Sequence, residues 1–407
     1  MRAINLANAL VSQGHGVVIW STDFYHQEKR HRFNSYKQID FSEKITIRLI
    51  PSIGYRRNIG LMRLLDHFLL ARSLKKLLKK EDVDKPDVAF VGFPPIEIAA
   101  VMLRWLKQRG IPSMIDAKDQ WPDIFLDSVP LVLKPIGKIV LSPYFYLAKR
   151  AMLDASAFCA MSEEFVQWMH VTAGRGPQKG DCFAPLTAPR QMLTLASLDG
   201  ARMWWKSKSI QIKRRVQVSF VGSLSHAFDF GVLRKLAILC LERHIQCKFV
   251  VCGDGSASNE IAKLLDGLDN VILIGWIDSP KMSVLYECSI ATFAPYINND
   301  AFERSVPNKI IDSLSHEVPV ITTLQGVTAS LLQQTESGYA GLSIEEMFKF
   351  LVRLLTEYDY FLKISRCAAE VYKNQFSCED VYNSLAKNLV DLVVNEPSAK
   401  KSALNNP

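Results

Sequence analysis

Apolar positions along this 407-residue chain follow two alternating periods. In residues 2–12 and 96–108 they recur three and four apart, which predicts helices, and residues 61–80 form a longer helix that is also basic. Short apolar runs predict buried strands at residues 16–21, 45–50, 88–91, 113–115 and 155–161. Strands that alternate with helices predict parallel sheets covered on both faces, so the expected fold class is α/β.

The same alternation begins again in the second half of the chain, with strands predicted at residues 216–221, 247–252, 270–274 and 290–294. Residues 174–189 are rich in Gly and Pro, and residues 202–215 are basic, which indicates a domain boundary in this region. We expect two Rossmann-like domains with a cleft between them, at residues 1–190 and 208–375. A final helix at residues 376–394 should return to the first domain, and residues 395–407 should be a disordered tail.

One expected element is absent from the start of the pattern. A doubly wound domain normally opens with a strand and a glycine-rich turn before its first helix. This sequence opens within that helix, so the first strand of the N-terminal domain is predicted to be missing. Either that strand is supplied differently, or the natural start lies upstream.

Charge and composition narrow the class of protein. The net charge is +8, and the excess of Lys and Arg is concentrated in residues 24–80. Such a region suits an anionic partner, namely a phospholipid surface, a lipid-linked diphosphate or nucleic acid, although it also serves solubility. The eight cysteines show no metal-ligand spacing and are expected to be reduced, as in a cytoplasmic protein. Residues 131–152 are too interrupted by Lys and Pro to span a bilayer, so they are interfacial or buried.

Residues 305–322 carry the clearest candidate site, because they predict a polar loop, a short helix, a turn and a buried strand. Lys309 and Asp312 are three apart and therefore share one face at the N-terminal end of the helix. That end has free N–H groups and the positive pole of the helix dipole, which favour phosphate. A lysine can neutralise phosphates and a carboxylate can accept hydrogen bonds from sugar hydroxyls, so the pair suits a nucleotide-sugar. The alternative is an incidental charge pair on a surface helix.

A second candidate site follows the predicted strand 113–115. Lys118 and Asp119 lie just beyond its carboxyl end, where α/β proteins bind ligands, and Asp116 and Asp123 flank them. A carboxylate here can orient a hydroxyl or take its proton, and the lysine can stabilise a leaving diphosphate. The alternative is a solvated loop with helix-capping aspartates.

Several segments together resemble the family 4 glycosyltransferases, which are retaining enzymes of the GT-B fold. They are the helix and strand of residues 5–19, the glycine turn 252–255, the segment 307–321 and the final helix opened by Phe376 and Ser377. Residues 119–122 resemble the D-x-W-P signature of a subgroup that builds bacterial surface polysaccharides. The resemblance covers nearly the whole chain apart from the missing beginning.

The resemblance implies a set of site residues. Lys118 and Asp119 would be catalytic, and Lys309 would bind the donor phosphates. Asp312 would bind the ribose, as the second glutamate of the family's E-x7-E motif does, whereas the first position of that motif is Arg304, beside Glu303. The remaining donor-binding positions would be Gly222, Ser223, Gly253, Gly255, Trp276, Ile277, Arg304 and Asn308. The loop after residue 221 lacks the Arg and Lys pair that the family usually has there.

The implied activity is transfer of a hexosyl or N-acetylhexosaminyl group from a nucleotide diphosphate donor, expected to be a UDP-sugar. The acceptor would be a polyprenyl-diphosphate-linked glycan in O-antigen or capsule synthesis. No metal or other cofactor and no nucleic acid are expected, and the protein would be cytoplasmic, with a peripheral position at the inner face of an anionic membrane. Two alternatives stay open, a nucleotide-sugar epimerase of the same fold and a catalytically silent scaffold.

Overall fold

The computed structural model describes residues 2–26, 28–33, 35–56, 60–80, 85–127, 129–188, 193–208, 210 and 215–395. The chain divides into two compact units. Unit 1 comprises residues 1–184 and 379–407, and unit 2 comprises residues 185–378. The predicted tail 395–407 lies outside the described residues except for Asn395.

Unit 1 contains nine strands and eight helices among its described residues. The strands are β1 Val17–Thr22, β2 Phe24–Tyr25, β3 Arg30–His31, β4 Lys37–Ser42, β5 Ile45–Ile50, β6 Ala89–Phe93, β7 Ser113–Ala117, β8 Ala157–Ala160 and β9 Cys182–Phe183. The helices are α1 Arg2–Ser12, α2 Leu61–Leu77, α3 Ile96–Lys107, α4 Asp123–Asp127, α5 Lys134–Val140, α6 Ser142–Asp154, α7 Glu163–Ala173 and the last helix of the chain, Cys378–Asn395.

The strands of unit 1 form separate sheets in the order β1-β5-β4 and β6-β7-β8-β9, with β2 and β3 as a small hairpin. The pairs β1–β5, β6–β7 and β7–β8 are parallel, as the sequence pattern predicts. Among the described residues, β1 and β6 each pair on one side only. The core lies between the second sheet and its helices, where Phe93, Leu103 and Phe158 are fully buried.

Unit 2 contains a single six-stranded parallel sheet. Its strands are β10 Gln217–Val221, β11 Lys248–Cys252, β12 Val271–Gly275, β13 Ser289–Ala294, β14 Val320–Thr322 and β15 Gly338–Ala340. Its helices are α8 Leu195–Ser207, α9 Phe230–Glu242, α10 Ser258–Leu265, α11 Ser279–Glu287, α12 Asp300–Glu303, α13 Asn308–Ser315, α14 Gly326–Thr335, α15 Ile344–Thr356 and α16 Tyr358–Val371, and the last helix of the chain is α17. Strands β10, β11, β13 and β14 are buried along almost their whole length, which explains why their sequences read as continuous apolar runs.

The chain divides between Ala184 and Pro185, within the region where the boundary was predicted, and the basic stretch that begins at residue 202 belongs to unit 2. Its first part belongs to α8, which packs against α11. Trp205 is fully buried and its indole N–H donates to the Lys281 carbonyl at 2.8 Å. The burial of Trp205 explains why this basic segment forms a packed helix.

The segment predicted to be interfacial or buried is exposed in its first part, residues 131–140, and partly buried in α6 through Ala148, Ala151 and Met152. A turn at Leu131–Leu133 leads into α5, and neither has a buried residue. Among the described residues no single helix has the length and apolarity to cross a membrane. Within the described part of the chain, one pair of helical segments, Leu131–Val140 and Ser142–Asp154, bent by 64° relative to each other, has a suitable combined length and composition.

Candidate functional site

The strand order of unit 2 defines where a ligand can bind. The sheet runs β12-β11-β10-β13-β14-β15, so its first and fourth strands, β10 and β13, lie side by side and the chain winds outward from them in both directions. In such sheets the connections diverge at this switch point and leave a crevice beyond the carboxyl ends of the two strands. The loop after β10 starts with Gly222 and Ser223, and α13 follows β13 along the chain. The predicted donor residues therefore lie at the ligand-binding edge of their own sheet.

Glycines allow the backbone segments at this edge to approach each other. Gly253 has φ +143°, and a Cβ on it would lie 1.8 Å from the Gly222 carbonyl oxygen. A Cβ on Gly255 would lie 2.1 Å from the Leu224 carbonyl oxygen. Because only glycine fits at both positions, the turn after β11 packs directly on the loop after β10. Hydrogen bonds from the Gly222 N–H to the Cys252 carbonyl and from the Leu224 N–H to the Asp254 carbonyl join the two loops at this edge of the sheet.

Lys309 lies at the centre of this edge. Its amine donates to the Val221 carbonyl at the end of β10 at 2.6 Å, and it lies 4.6 Å from the centre of the Phe220 ring. A Cβ on Gly222 would be only 1.5 Å from the Lys309 Nζ atom, so the loop passes directly against the amine. Burial lowers the pKa of Lys309 to about 8, although Asp312 acts in the opposite direction. The Lys309 amine is a half-buried cation that contacts a backbone carbonyl and aromatic rings. An anionic ligand would give this cation an opposite charge as its partner.

Asp312 follows one turn later on α13 and is also half-buried. Burial raises the pKa of its carboxyl to about 6, although Lys309 acts in the opposite direction. Burial raises the pKa of Tyr286 and Tyr296, and the negative charge of Asp312 raises them further. The two phenol groups therefore lie near this carboxylate. A half-buried carboxylate destabilises the protein unless it accepts a hydrogen bond. The hydroxyl groups of a ligand would supply such a donor.

The other predicted donor residues take different positions. Ser223 and Asn308 are exposed, and Arg304 is half-buried between α12 and α13. Trp276 is 72% exposed, and its backbone N–H donates to the Asp254 carboxylate at 3.2 Å, which ties it to the glycine turn. The Ile277 side chain is 7% exposed and belongs to the core with Trp205, so only its backbone stays available for the predicted contact with a base.

In unit 1 the aspartates around the second candidate site separate into two groups. Asp116 lies within β7, is fully buried and accepts two hydrogen bonds from the Arg2 guanidinium, at 2.8 and 2.9 Å. Asp123 accepts from the indole N–H of Trp168 at 3.0 Å. Both carboxylates stabilise the fold. The expectation that Asp116 orients an acceptor hydroxyl is therefore wrong. The hydrogen bond from Trp168 gives the Asp123 carboxylate a structural partner, which does not support the same role for Asp123.

Lys118 and Asp119 are exposed at the carboxyl end of β7, as predicted. The Lys118 backbone N–H donates to the Phe93 carbonyl at 2.9 Å, so the loop lies over the end of β6. Although Asp119 is exposed at the surface, protein atoms around its carboxyl remove part of its hydration and raise its pKa, against the effects of Arg63 and Lys118, so both cations lie near this carboxyl. A carboxylate of raised pKa at a strand end can act as a proton acceptor.

Sequence patterns did not reveal a buried polar cluster beside this loop. His67 of α2 and Glu97 of α3 are buried with their side chains 3.9 Å apart, and the Tyr144 hydroxyl donates to Glu97. Burial, followed by the charge of Arg63, lowers the pKa of His67 to about 4, and burial raises the pKa of Glu97. The centres of the His67 and Trp121 rings are 5.8 Å apart. Since Trp121 lies two residues after Asp119, the cluster packs against the loop that carries Asp119. The sequence gives little indication of this cluster, because a histidine in α2 and a glutamate in α3 do not by themselves show that the two side chains meet.

Comparison with known families identifies the two halves of the chain. Residues 1–179 match the model described as Glycosyltransferase Family 4, and residues 215–357 match the model described as Glycosyl transferases group 1. The chain is a glycosyltransferase that carries both domains. No curated protein sequence matches it.

Solved structures show the fold of this glycosyltransferase. It is similar to sucrose-phosphate synthase from Thermosynechococcus elongatus, with a TM-score of 0.69, 11% identity and coverage of 96% of this chain and 92% of the other. WaaG, a glycosyltransferase involved in lipopolysaccharide biosynthesis, has a TM-score of 0.62 at 14% identity, over 97% and 95% of the two chains. HepE from Anabaena, solved in complex with UDP, has a TM-score of 0.60 at 11% identity, over 85% and 86%. These neighbours have the GT-B fold, and the predicted α/β class with two Rossmann-like domains is confirmed.

Proposed function

We propose that this glycosyltransferase moves a hexosyl or N-acetylhexosaminyl group from a UDP-sugar to a polyprenyl-diphosphate-linked glycan in bacterial surface-polysaccharide synthesis. The observation that carries the proposal is the Lys309 amine, held 2.6 Å from the last carbonyl of β10 at the switch point of the unit 2 sheet. The presence of UDP in the HepE structure supports the choice of nucleotide, and the role of WaaG in lipopolysaccharide biosynthesis supports the pathway.

In this proposal the unit 2 edge binds the donor. Lys309 and the backbone N–H groups of the loop after β10 hold the diphosphate, while Asp312 accepts hydrogen bonds from the ribose. The exposed face of Trp276 stacks on the base. Charge neutralisation by protein groups leads us to expect activity without a metal ion. Turnover that is unchanged by EDTA would support this part, and activity restored only by a divalent cation would oppose it.

Lys118 and Asp119 act at the acceptor in this scheme. Asp119 accepts a hydrogen bond from the acceptor hydroxyl and orients its oxygen towards the anomeric carbon. The new carbon–oxygen bond forms as the bond to the diphosphate breaks, the diphosphate leaves with the electron pair, and the hydroxyl proton passes to the Asp119 carboxylate. The resemblance to retaining enzymes leads us to propose that the anomeric configuration is kept, which NMR of the product would test.

A membrane surface is part of the proposal because of residues 131–140. Val132 is 87% exposed, Leu131 80% and Ile139 74%, with Ile136 and Val140 exposed beside them. Residues 129–153 also contain four cations, Lys134, Lys138, Lys149 and Arg150, and no Asp or Glu. Exposed apolar side chains interspersed with Lys and Arg are typical of helices that lie in the interface of an anionic bilayer. We therefore place the protein at the cytoplasmic face of the membrane, where a lipid-linked acceptor is found.

Vesicle binding tests the membrane part. The protein should sediment with vesicles rich in phosphatidylglycerol and much less with phosphatidylcholine vesicles. Ile136→Asp with Ile139→Asp should reduce this binding at least tenfold, because two charges would enter the apolar interface. Leu342→Asp, which changes an exposed leucine of unit 2, is the matched control. Equal loss with the control variant would show that residues 131–140 are not the contact.

A panel of UDP-sugars with and without a lipid-diphosphate glycan tests the reaction. Mass spectrometry should detect an acceptor one sugar heavier, together with UDP, from one donor of the panel. Release of a free, altered sugar without acceptor would indicate the epimerase. Failure of calorimetry to detect UDP binding would indicate the silent scaffold.

A further inference from the structure

Unit 1 contains a cavity of about 660 Å³. The β2–β3 hairpin, the segment after β5 and the start of α2 enclose it. Its described lining residues include three cations, Lys29, Arg56 and Arg63, and none of the described lining residues is acidic. A cavity walled by positive charge has a strong preference for an anionic ligand.

The carboxylates near the cavity are used to shape its wall. Asp66 of α2 accepts hydrogen bonds from the backbone N–H groups of Ile53 and Gly54, both at 3.0 Å. Asp23 accepts from the Ser52 N–H at 2.9 Å, and its other oxygen lies 3.2 Å from His31. These contacts fix the loop against the hairpin, with Asp66 bound to backbone N–H groups and Asp23 shared between the backbone and the His31 side chain.

Lys29 and Arg63 lie close enough together to act on one ligand, and Arg56 lines the same cavity. The Lys29 amine lies 4.7 Å from the centre of the Tyr55 ring, and the Arg63 guanidinium lies 5.6 Å from the same centre. Burial and then the charge of Arg63 lower the pKa of Lys29. The contribution of Arg63 shows that the two cations repel each other. A bound dianion would relieve that repulsion.

The mouth of the cavity is apolar. Leu61 is 84% exposed and Met62 55%, and both line the cavity at the start of α2. Leu65 and Phe68 continue the exposed apolar surface along the helix. A cationic interior with an apolar rim matches an amphiphile that has a phosphate head and a hydrocarbon chain, whereas a free phosphate needs no apolar rim.

The cavity is also linked to the candidate catalytic loop. The Arg63 guanidinium lies 4.9 Å from the centre of the Trp121 ring, two residues after Asp119, and its charge acts on the Asp119 carboxyl. A ligand held by Arg63 would therefore have its phosphate next to the residue proposed to orient the acceptor hydroxyl.

We propose that this cavity binds the diphosphate of the lipid-linked acceptor, with Lys29, Arg56 and Arg63 on the phosphate oxygens and Leu61 and Met62 against the lipid chain. This inference rests on the proposed function. It assigns the diphosphate to unit 1, separately from the nucleotide diphosphate that Lys309 binds in unit 2.

Calorimetry on the full chain, with farnesyl diphosphate, inorganic pyrophosphate and UDP as probes, tests the assignment. Lys29→Ala with Arg56→Ala should weaken farnesyl diphosphate binding at least tenfold and leave UDP binding unchanged. Lys76→Ala removes an exposed cation further along α2 and should change neither. Leu61→Ala with Met62→Ala should weaken farnesyl diphosphate but not pyrophosphate, and pyrophosphate binding as tight as that of farnesyl diphosphate would overturn the lipid part.

The outcomes separate the two proposals. Unchanged farnesyl diphosphate binding in the Lys29 and Arg56 variant, with normal UDP binding, overturns the cavity assignment alone. Farnesyl diphosphate binding that depends on these cations, in a protein that does not bind UDP, supports the cavity and overturns the proposed donor site.

Discussion

Unit 2 and unit 1 hold their functional charges in different ways. In unit 2, Lys309 is half-buried against the loop at Gly222, and glycines allow three backbone segments to meet around it. In unit 1, Lys118, Asp119 and Arg56 are exposed on loops, and buried carboxylates such as Asp66 support those loops. The donor side should therefore be sensitive to any change of backbone packing. The acceptor side should accept substitutions that alter charge without altering the fold.

The largest expected effect is at Gly253 in unit 2. Gly253→Ala would place a Cβ 1.8 Å from the Gly222 carbonyl oxygen, at a φ of +143° that alanine rarely adopts. We expect a loss of about 3 kcal/mol or more in the free energy of unfolding, together with loss of UDP binding. Thermal unfolding and calorimetry measure the two quantities.

Gly267→Ala is the matched control for this substitution. Gly267 also has a positive φ, +76°, but nothing lies within 4 Å of a Cβ built there. Its cost should be about 1 kcal/mol from backbone strain alone, with UDP binding retained. Equal losses of stability in both variants would show that the close contact with Gly222 is not the reason why Gly253 must be glycine.

A substitution at the acceptor side should change turnover without changing donor affinity. Asp119→Asn keeps the shape of the side chain but removes the carboxylate that is proposed to accept the hydroxyl proton. We expect kcat to fall about 100-fold with the Kd for UDP unchanged. Glu164→Gln, an exposed change on α7, is the control. A parallel loss of UDP affinity would contradict the division of roles between the units.

The opposite result is expected for Lys309 in unit 2. Lys309→Met removes the charge and keeps an unbranched side chain against the Phe220 and Phe228 rings. The affinity for UDP should fall by about 2 kcal/mol, or roughly 30-fold, because a charge-assisted contact to the diphosphate is lost. Calorimetry measures this loss, and Lys235→Ala, an exposed change on α9, should leave the affinity unchanged.

The smallest effect is the pH dependence due to Asp312. Its pKa of about 6 lies above the ordinary value of 3.8, so the folded protein holds this proton more tightly than the unfolded chain does. Stability should therefore fall by about 1 kcal/mol as the pH rises from about 4 to about 6, while UDP affinity should increase as the ribose-binding carboxylate forms. Asp312→Asn should remove both slopes. A slope in UDP affinity that persists in this variant would assign it to another group.

Much of the fold was predictable from local patterns. Continuous apolar runs identified five of the six described strands of unit 2, because a parallel strand covered on both faces needs apolar residues at every position, whereas β15 was not predicted. The start of α7 has a local cause as well, because the Ser162 hydroxyl accepts from the Phe165 N–H and caps the helix. The exposed strand β4 and helix α8 were missed, since one has few apolar residues and the other lies in a basic stretch.

The candidate sites were predictable in part. Lys309, Asp312 and the glycine turn were found because strand–turn–helix spacing fixes which residues lie at the carboxyl end of a sheet. Asp116 was misjudged because its partner, Arg2, is 114 positions away in the sequence. The cations of the unit 1 cavity were seen only as a charged region, because hairpin residues and a helix start meet there through contacts between distant segments.

The sequence alone determined the class of fold and the strand ends at which each unit carries its chemistry, because hydrophobic period and turn residues act locally. Only the tertiary structure decided which charges are buried, which are exposed and which converge on one cavity. Those properties depend on the pairing of segments that are far apart in the chain, and burial changes the cost of a charge by more than its local sequence can indicate.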